Sequence, residues 1–474
     1  MKDQPRISIW TKTAYGIGSV AYGVKNNGFD YFFLIFYSQV LGVDAGLVGL
    51  ALMLALAFDA ISDPLVGYLS DNTHTRWGRR HPFMYAAALP VAIGYAFIWN
   101  PPGALQGNDL FWYITLLAIF VRTTITLYEI PSSALVAELS TDYDERTSLL
   151  SYRFFFGWTG GTLMATLALA VLLVPTESIA NGLFNAEGYA TMGVVASVAI
   201  FASIVISAVG THHRIPYLAA PSEKRQLSLS RIYAELFETL ANRSFMSLFL
   251  SALFGAIATG MAAGLNYYFM TFFWEFDNQQ ISVLSFSVVL SAVIGFVISP
   301  MVSRKLGKKR GAIIIGVIAF STAPLPIFLK LLGLMPDAGS PVLFPLILVT
   351  TIFDVGLIIC FQTLMSAMIA DLVEESQLKT QRRSEGVFFA AITFTRKFVQ
   401  GFGVVSATVM LSIAQFPEGA VPGSVSNEVL HRLGWMYVPA IFCVWMMMIA
   451  CLRFYRIDRA RHEENLERLS DLQA

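Results

Sequence analysis

The chain has 474 residues, 55% of them apolar and 14% charged, and its 32 Lys and Arg equal its 32 Asp and Glu. A water-soluble surface needs about 25% charged residues, so most of the apolar surface must face lipid, and the balanced charge gives no pointer to nucleic acid or a polyanionic partner. Cys360, Cys443 and Cys451 lie in apolar runs without paired spacing or a neighbouring His, which argues against disulfides and zinc.

The opening MKDQPRISIWTK lacks a basic, apolar, small-residue cleavage pattern, and the apolar run after it is too long for a signal peptide, so it is expected to stay as a first span. A span needs about 20 mostly apolar residues. Such runs fall near 17–41, 46–70, 82–100, 109–138, 150–175 and 187–210, then near 243–273, 280–301, 310–334, 341–371, 384–414 and 428–454. The expected fold is therefore all-α and membrane-embedded, with twelve transmembrane helices. Its predicted organisation is a six-helix bundle over 1–210, a cytoplasmic linker over 211–242, and a second six-helix bundle with a tail over 243–474. In the linker Ile232, Leu236 and Leu240 recur at helical spacing, which suits an amphipathic surface helix, although a solvated linker fits as well. Two six-helix halves match the parallel-repeat plan of transporters, whose solute site lies near the midplane between the halves.

Lys and Arg concentrate in alternate loops: Arg76, Arg79 and Arg80; Arg214, Lys224, Arg225 and Arg231; Arg304, Lys305 and Lys308 to Arg310; Lys379, Arg382 and Arg383; Arg453 to Arg461. The intervening loops, such as NPPGALQGND and WEFDNQQ, carry none. The bias puts the basic loops and both termini in the cytoplasm of a plasma membrane, the inner membrane if the source is bacterial. Trp99, Trp112, Trp274 and Trp435 fall near the outer edge, where an aromatic belt is expected.

Ionisable side chains in the bilayer centre cost about 2.5–3.5 kcal/mol each on insertion scales, so each marks a functional hypothesis. The spans carry Asp30, Asp59, Asp63, Glu129 and Asp354 against Lys25, Arg122, Arg153, Arg396 and Lys397. Asp59 and Asp63, in FDAISDPLVG, stand four apart on one helix face. Their mutual repulsion would be relieved by Na⁺ or a proton, which makes them the first candidate for a monovalent coupling-cation site; pairing with a base simply to hold helices together is the alternative. Glu129 shares a face with Thr126 and Ser133, and Thr393 with Lys397. These groups could hydrogen-bond a polar solute or close a cation shell, while an ion pair between the halves is an equal alternative for Arg122 and Arg396. Asn26, Asn27 and Asp30 give the first span its own polar face.

DAISDPLVGYLSD-NTHTRWGRRHP, then EIPSSALVAELS, SYRFFF and RRSEGVFFAAITFTRKFVQG, resemble the glycoside-pentoside-hexuronide:cation symporter family of the major facilitator superfamily, along essentially the whole chain. The resemblance implies the major facilitator fold and alternating-access symport of a sugar, glycoside or uronide with Na⁺ or H⁺. It further implies Asp59, Asp63 and Thr126 as cation ligands, Glu129, Arg153, Thr393 and Lys397 as solute ligands, and a gating loop in which Asp71 pairs with Arg79 and Arg80. Two departures stand out. The family's first-span sugar-binding Asp aligns with Gly23, leaving Asp30, seven residues on, as the nearest acid on that face; and Ser133 stands where sugar-carrying relatives have a Trp. The lost Trp, and Glu129 in the place of a sugar-binding Asp of that family, weaken a simple galactoside assignment and leave an amphipathic cargo such as a lysolipid as an alternative, beside an uncoupled facilitator. An enzyme is not expected, since GxSxG, HExxH and Cys/His clusters are absent. The expected partners are a small-molecule solute and membrane lipid, with no cofactor beyond the coupling cation, no nucleic acid, and a single chain as the working unit.

Overall fold

The computed structural model describes residues 7–73, 75–140, 143–177, 179, 181–218, 243–380 and 385–455, and every regular element among them is helical. Ten helices are long and apolar enough to cross a membrane, from Ala45–Gly67 to Asn427–Phe454. The other two expected spans are present in altered form. The first is a nearly unbroken run through α1 (Ile9–Ile17), α2 (Ser19–Asn27), a π-helical turn (Gly28–Phe32), α3 (Phe33–Ile35) and a second π-helical turn ending at Val40. The eleventh falls on the helix Glu385–Ala414, in which Val399–Ala414 is the apolar stretch among the described side chains.

The chain divides into two compact units. One comprises Met1–Arg225, Ala263–Ser285 and Pro417–Val425; the other comprises Gln226–Ala262, Phe286–Phe416 and Ser426–Ala474. The expected linker over 211–242 lies mostly outside the described residues.

In the first unit α4 (Ala45–Asn72) packs along α6 (Gly107–Leu139), α5 (His81–Ile98) along α6 and α8 (Ala186–His212), and α2 along α7 (Tyr143–Leu167). Helix starts follow the sequence: Ser8, Asp44 and Asn185 each accept a first-turn backbone N–H, from Thr11, Leu47 and Gly188. The helices are apolar all round, yet two faces are distinct. On α5, Met84, Ala87, Val91, Tyr95 and Ile98 are buried, while Leu89, Ile93 and Phe97 form a stripe left for lipid.

The crossing of α2 and α7 is made by glycine. A Cβ on Gly23 would lie 2.1 Å from the Gly157 carbonyl oxygen, and one on Gly161 would lie 2.7 Å from that of Gly23. Such contact between backbones is how helices attract one another in lipid, where burial of apolar surface gives no drive.

Only part of the expected aromatic belt faces outward. Trp112 and Trp435 are half exposed, but Trp99 and Trp274 are 1% and 5% exposed. Trp99 stacks on Tyr189 and meets Phe36 and Tyr95 in an aromatic core, so it is a packing residue rather than an interfacial anchor.

The second unit is built from α9 (Arg243–Tyr268, up to Ala262), α10 (Asn278–Leu306, from Phe286), α11 (Lys308–Thr322), α12 (Leu325–Leu331), α13 (Leu343–Thr380), α14 (Glu385–Ala414) and α15 (Asn427–Cys451). α11 packs on α13 and α15. Asp354, the one intramembrane acid expected here, is buried and accepts a 2.6 Å hydrogen bond from Thr322.

Candidate functional site

α4 and α6 run side by side, so residues a turn apart on one meet residues a turn apart on the other. Asp59 and Asp63 are 1% and 9% exposed and point at Thr126, which is fully buried. The Thr126 Oγ1 lies 2.9 Å from Asp59 Oδ1, 3.1 Å from Asp63 Oδ1 and 3.0 Å from the Arg122 carbonyl oxygen. A threonine hydroxyl has one proton to donate. Three acceptors therefore contest a single donor, two of them carboxylates, and oxygen lone pairs face one another in a buried space. Such an oxygen-rich cluster can hold a monovalent cation, or a proton on one carboxylate. Among the described residues no three His, Cys, Asp or Glu side chains gather as a metal site.

Arg122 closes one flank. Its Nη1 is 3.4 Å from Asp59 Oδ2, longer than the 2.7–2.9 Å of a good charge-assisted bond. The guanidinium lies 4.7 Å from the Phe29 ring centre, and its buried Nε has no hydrogen-bond partner. Of the two readings open for Arg122, the structure gives a pair within its own unit. In the first span Lys25 is 2% exposed and Asp30 is half-buried in the first π-helical turn.

A second polar cluster gathers on Arg153, 8% exposed in α7. It donates to Tyr15 Oη (3.4 Å), Ser132 Oγ (3.2 Å) and Ser133 Oγ (2.6 Å), with the Tyr22 ring centre at 5.2 Å. Glu129, one turn before these serines, accepts both of their hydroxyl protons on its backbone carbonyl, at 3.1 and 2.7 Å. The structure thus joins the positions of Arg153, Glu129 and Ser133.

The departure at Gly23 has a structural cause. No side chain fits between α2 and α7 there, so an Asp at this position is incompatible with the observed crossing.

Between α4 and α5, Arg79 and Arg80 converge on one acid that the sequence reading passed over. Glu138 Oε1 accepts from Arg79 Nε at 3.0 Å and from Arg80 Nε at 2.9 Å, and Arg80 Nη1 donates to Ser70 Oγ at 2.6 Å. Glu138 is 6% exposed, and its buried Oε2 has no hydrogen-bond partner. The available signal was its place in EIPSSALVAELS, nine residues after Glu129 on the same helix. Asp71 lies in α4, and Thr393, Arg396 and Lys397 lie in α14, but these four side chains are outside the described residues.

The profile of the MFS/sugar transport protein family matches residues 14–459. The chain is 24% identical to the isoprimeverose transporter of Lactiplantibacillus pentosus, over 94% of this chain and 88% of that one. It is equally similar, at 24%, to the sodium-dependent lysophosphatidylcholine symporter 1 of Mus musculus, over 99% of this chain and 90% of the relative. Among solved structures, a D-xylose–proton symporter superposes with a TM-score of 0.60 at 15% identity, over 92% of this chain and 97% of that one.

Proposed function

The chain belongs to the MFS/sugar transport protein family, and we propose on that footing that it is a symporter that drives a sugar-like or amphipathic solute across the membrane with Na⁺ or H⁺ bound at Asp59, Asp63 and Thr126. Membership makes it a multi-pass membrane transporter and not an enzyme. The observation that carries the proposal is the pair of buried carboxylates sharing one hydroxyl proton. With the site empty, two negative charges face each other across Thr126. A cation between them removes the repulsion and lets α4 and α6 close around it. Because Thr126 and Glu129 lie one turn apart on α6, that closure adjusts the solute groups on the same helix, Glu129, Ser132 and Ser133. Cation binding then raises solute affinity, and linkage requires the solute to raise cation affinity by the same factor.

The rival role for the acids, as helix staples, accounts for one oxygen of Asp59 through Arg122. On the solute side, the relatives' names give isoprimeverose and lysophosphatidylcholine. Ser133, engaged with Arg153 where sugar carriers of the resembling family have a Trp, favours a solute that does not need an aromatic platform. Asp30, Thr393 and Lys397 complete the proposed solute set, and Asp71, Arg79 and Arg80, joined by Glu138, the proposed cytoplasmic gate. The Lys/Arg asymmetry supports a plasma-membrane protein with both termini cytoplasmic.

Counterflow in proteoliposomes under imposed Na⁺ or pH gradients, across glycosides, uronides and lysolipids, tests the assignment. Concentrative, cation-dependent uptake is expected from the wild type and only downhill equilibration from Asp59→Ala/Asp63→Ala. Undiminished concentrative uptake by that double variant would move the coupling site elsewhere.

A further inference from the structure

Arg153 differs from Arg80 and Arg122 in what neutralises it. Those two arginines are paired with Glu138 and Asp59. The Arg153 guanidinium is just as buried, yet its hydrogen-bond partners are three hydroxyls, and among the described residues no carboxylate stands within ion-pair distance of it.

Those hydroxyls are held as acceptors. The Tyr15 hydroxyl donates to the Ser132 carbonyl oxygen at 2.9 Å, and the Ser132 and Ser133 hydroxyls donate to the Glu129 carbonyl oxygen. With each proton committed to the backbone, the lone pairs are left for Arg153. The result is a rigid, neutral cradle around a full positive charge.

A guanidinium has five N–H donors. The Tyr15 and Ser132 bonds use both protons of Nη1, and Ser133 uses one of Nη2. One N–H on Nη2 and the N–H on Nε remain. Neutral dipoles solvate a buried cation without cancelling its charge, and an uncompensated buried charge is strongly unfavourable. Adjacent guanidinium donors are matched by the paired oxygens of a carboxylate or a phosphate.

We propose that the transported solute carries an oxyanion, a carboxylate or a phosphate, that docks on the two remaining donors of Arg153. The inference deepens the symporter reading and rests on it. In this arrangement the cation neutralises the acids on α4 while the solute neutralises the base on α7, so each ligand brings the charge its own cluster lacks.

The test uses purified full-length protein with matched probe pairs that differ in charge: glucuronate against glucose, glycerol 3-phosphate against glycerol, and lysophosphatidate against monoacylglycerol. Affinity is read from thermal unfolding in NaCl. The expected result is at least one anionic probe binding about tenfold more tightly than its neutral twin, the carboxylate or phosphate pair naming the source. Arg153→Gln should shrink that ratio to about one. Arg153→Lys, which keeps the charge but not the fork, should keep a reduced preference, and it decides the matter where the Gln variant does not fold. The inference is overturned if no anionic probe outbinds its twin, if Arg153→Gln weakens both members of a pair equally, or if Arg153→Lys is blind to charge. Stabilisation of the solute-free protein by Na⁺ or by protons, and its loss in Asp59→Asn/Asp63→Asn, is read in the same preparations. If that cation effect is intact while solute binding is blind to charge, only the anion inference falls; if the cation effect is absent, the symporter reading falls.

Discussion

The two polar clusters of the first unit are built from similar parts with opposite charge. In one, two carboxylates of α4 share the proton of a single hydroxyl; in the other, three hydroxyls share one guanidinium. The difference lies in donor supply. In the acid cluster three acceptors meet one hydroxyl proton, which suits the proposed cation. In the arginine cluster the hydroxyls leave two N–H donors, which suit the proposed anion. Hydroxyls in a membrane interior thus serve either sign, depending on where their one proton is committed.

The largest expected effect breaks one side of that comparison while sparing the other. Asp59→Asn/Asp63→Asn keeps the side-chain shape and removes both charges, so gradient-driven accumulation should fall by about two orders of magnitude, consistent with removal of about 3 kcal/mol of coupling. Solute exchange without a gradient should persist, because Arg153 is untouched. Uptake and counterflow measured side by side check this, and loss of both together would mean the clusters are not separable.

Next is the pair of arginines between α4 and α5. Glu138→Gln leaves Arg79 and the buried Arg80 without their shared acid, and breaking a buried pair costs about 3–5 kcal/mol. Thermal unfolding should show the loss, with solute and cation affinities little changed, since Glu138 sits at the far end of α6. A third expectation concerns Gly23. Gly23→Asp restores the acid that the resembling family carries, yet its Cβ would meet the Gly157 carbonyl at 2.1 Å. Overpacking of this kind costs about 1–3 kcal/mol, so the variant should melt lower and gain no sugar affinity; a gain would show that α2 and α7 can separate.

Much of this was legible in the sequence for physical reasons that act locally. Apolar length marks a span, and a four-residue spacing puts Asp59 and Asp63 on one face, so the spans and the acid pair follow from the chain alone. What stayed hidden depends on contacts between distant segments. Glu138 lies 59 residues after Arg79 in the chain, and nothing near it marks the two arginines it will hold. The environment of Trp99 is set by Tyr189, and that of Arg153 by how α1, α6 and α7 meet. Gly23 read as a lost ligand because its role, a backbone crossing, leaves no trace in residue spacing.

The smallest expected effect tests the one-proton argument itself. Thr126→Val is nearly isosteric and keeps α4 against α6, but it removes the oxygen that lies about 3 Å from both carboxylates. If the hydroxyl oxygen is a cation ligand, its loss should weaken cation binding by about tenfold, the size expected for one hydrogen bond or ligand to a charged group. If the hydroxyl instead mainly relieves the acids by donating its proton, removing it raises their repulsion and makes one of them easier to protonate. Proton affinity should then rise while Na⁺ affinity falls. Measuring Na⁺ stabilisation at several pH values separates the two: a drop in affinity that is the same at every pH identifies Thr126 as a ligand, and a drop confined to low pH identifies it as the proton that the two aspartates share.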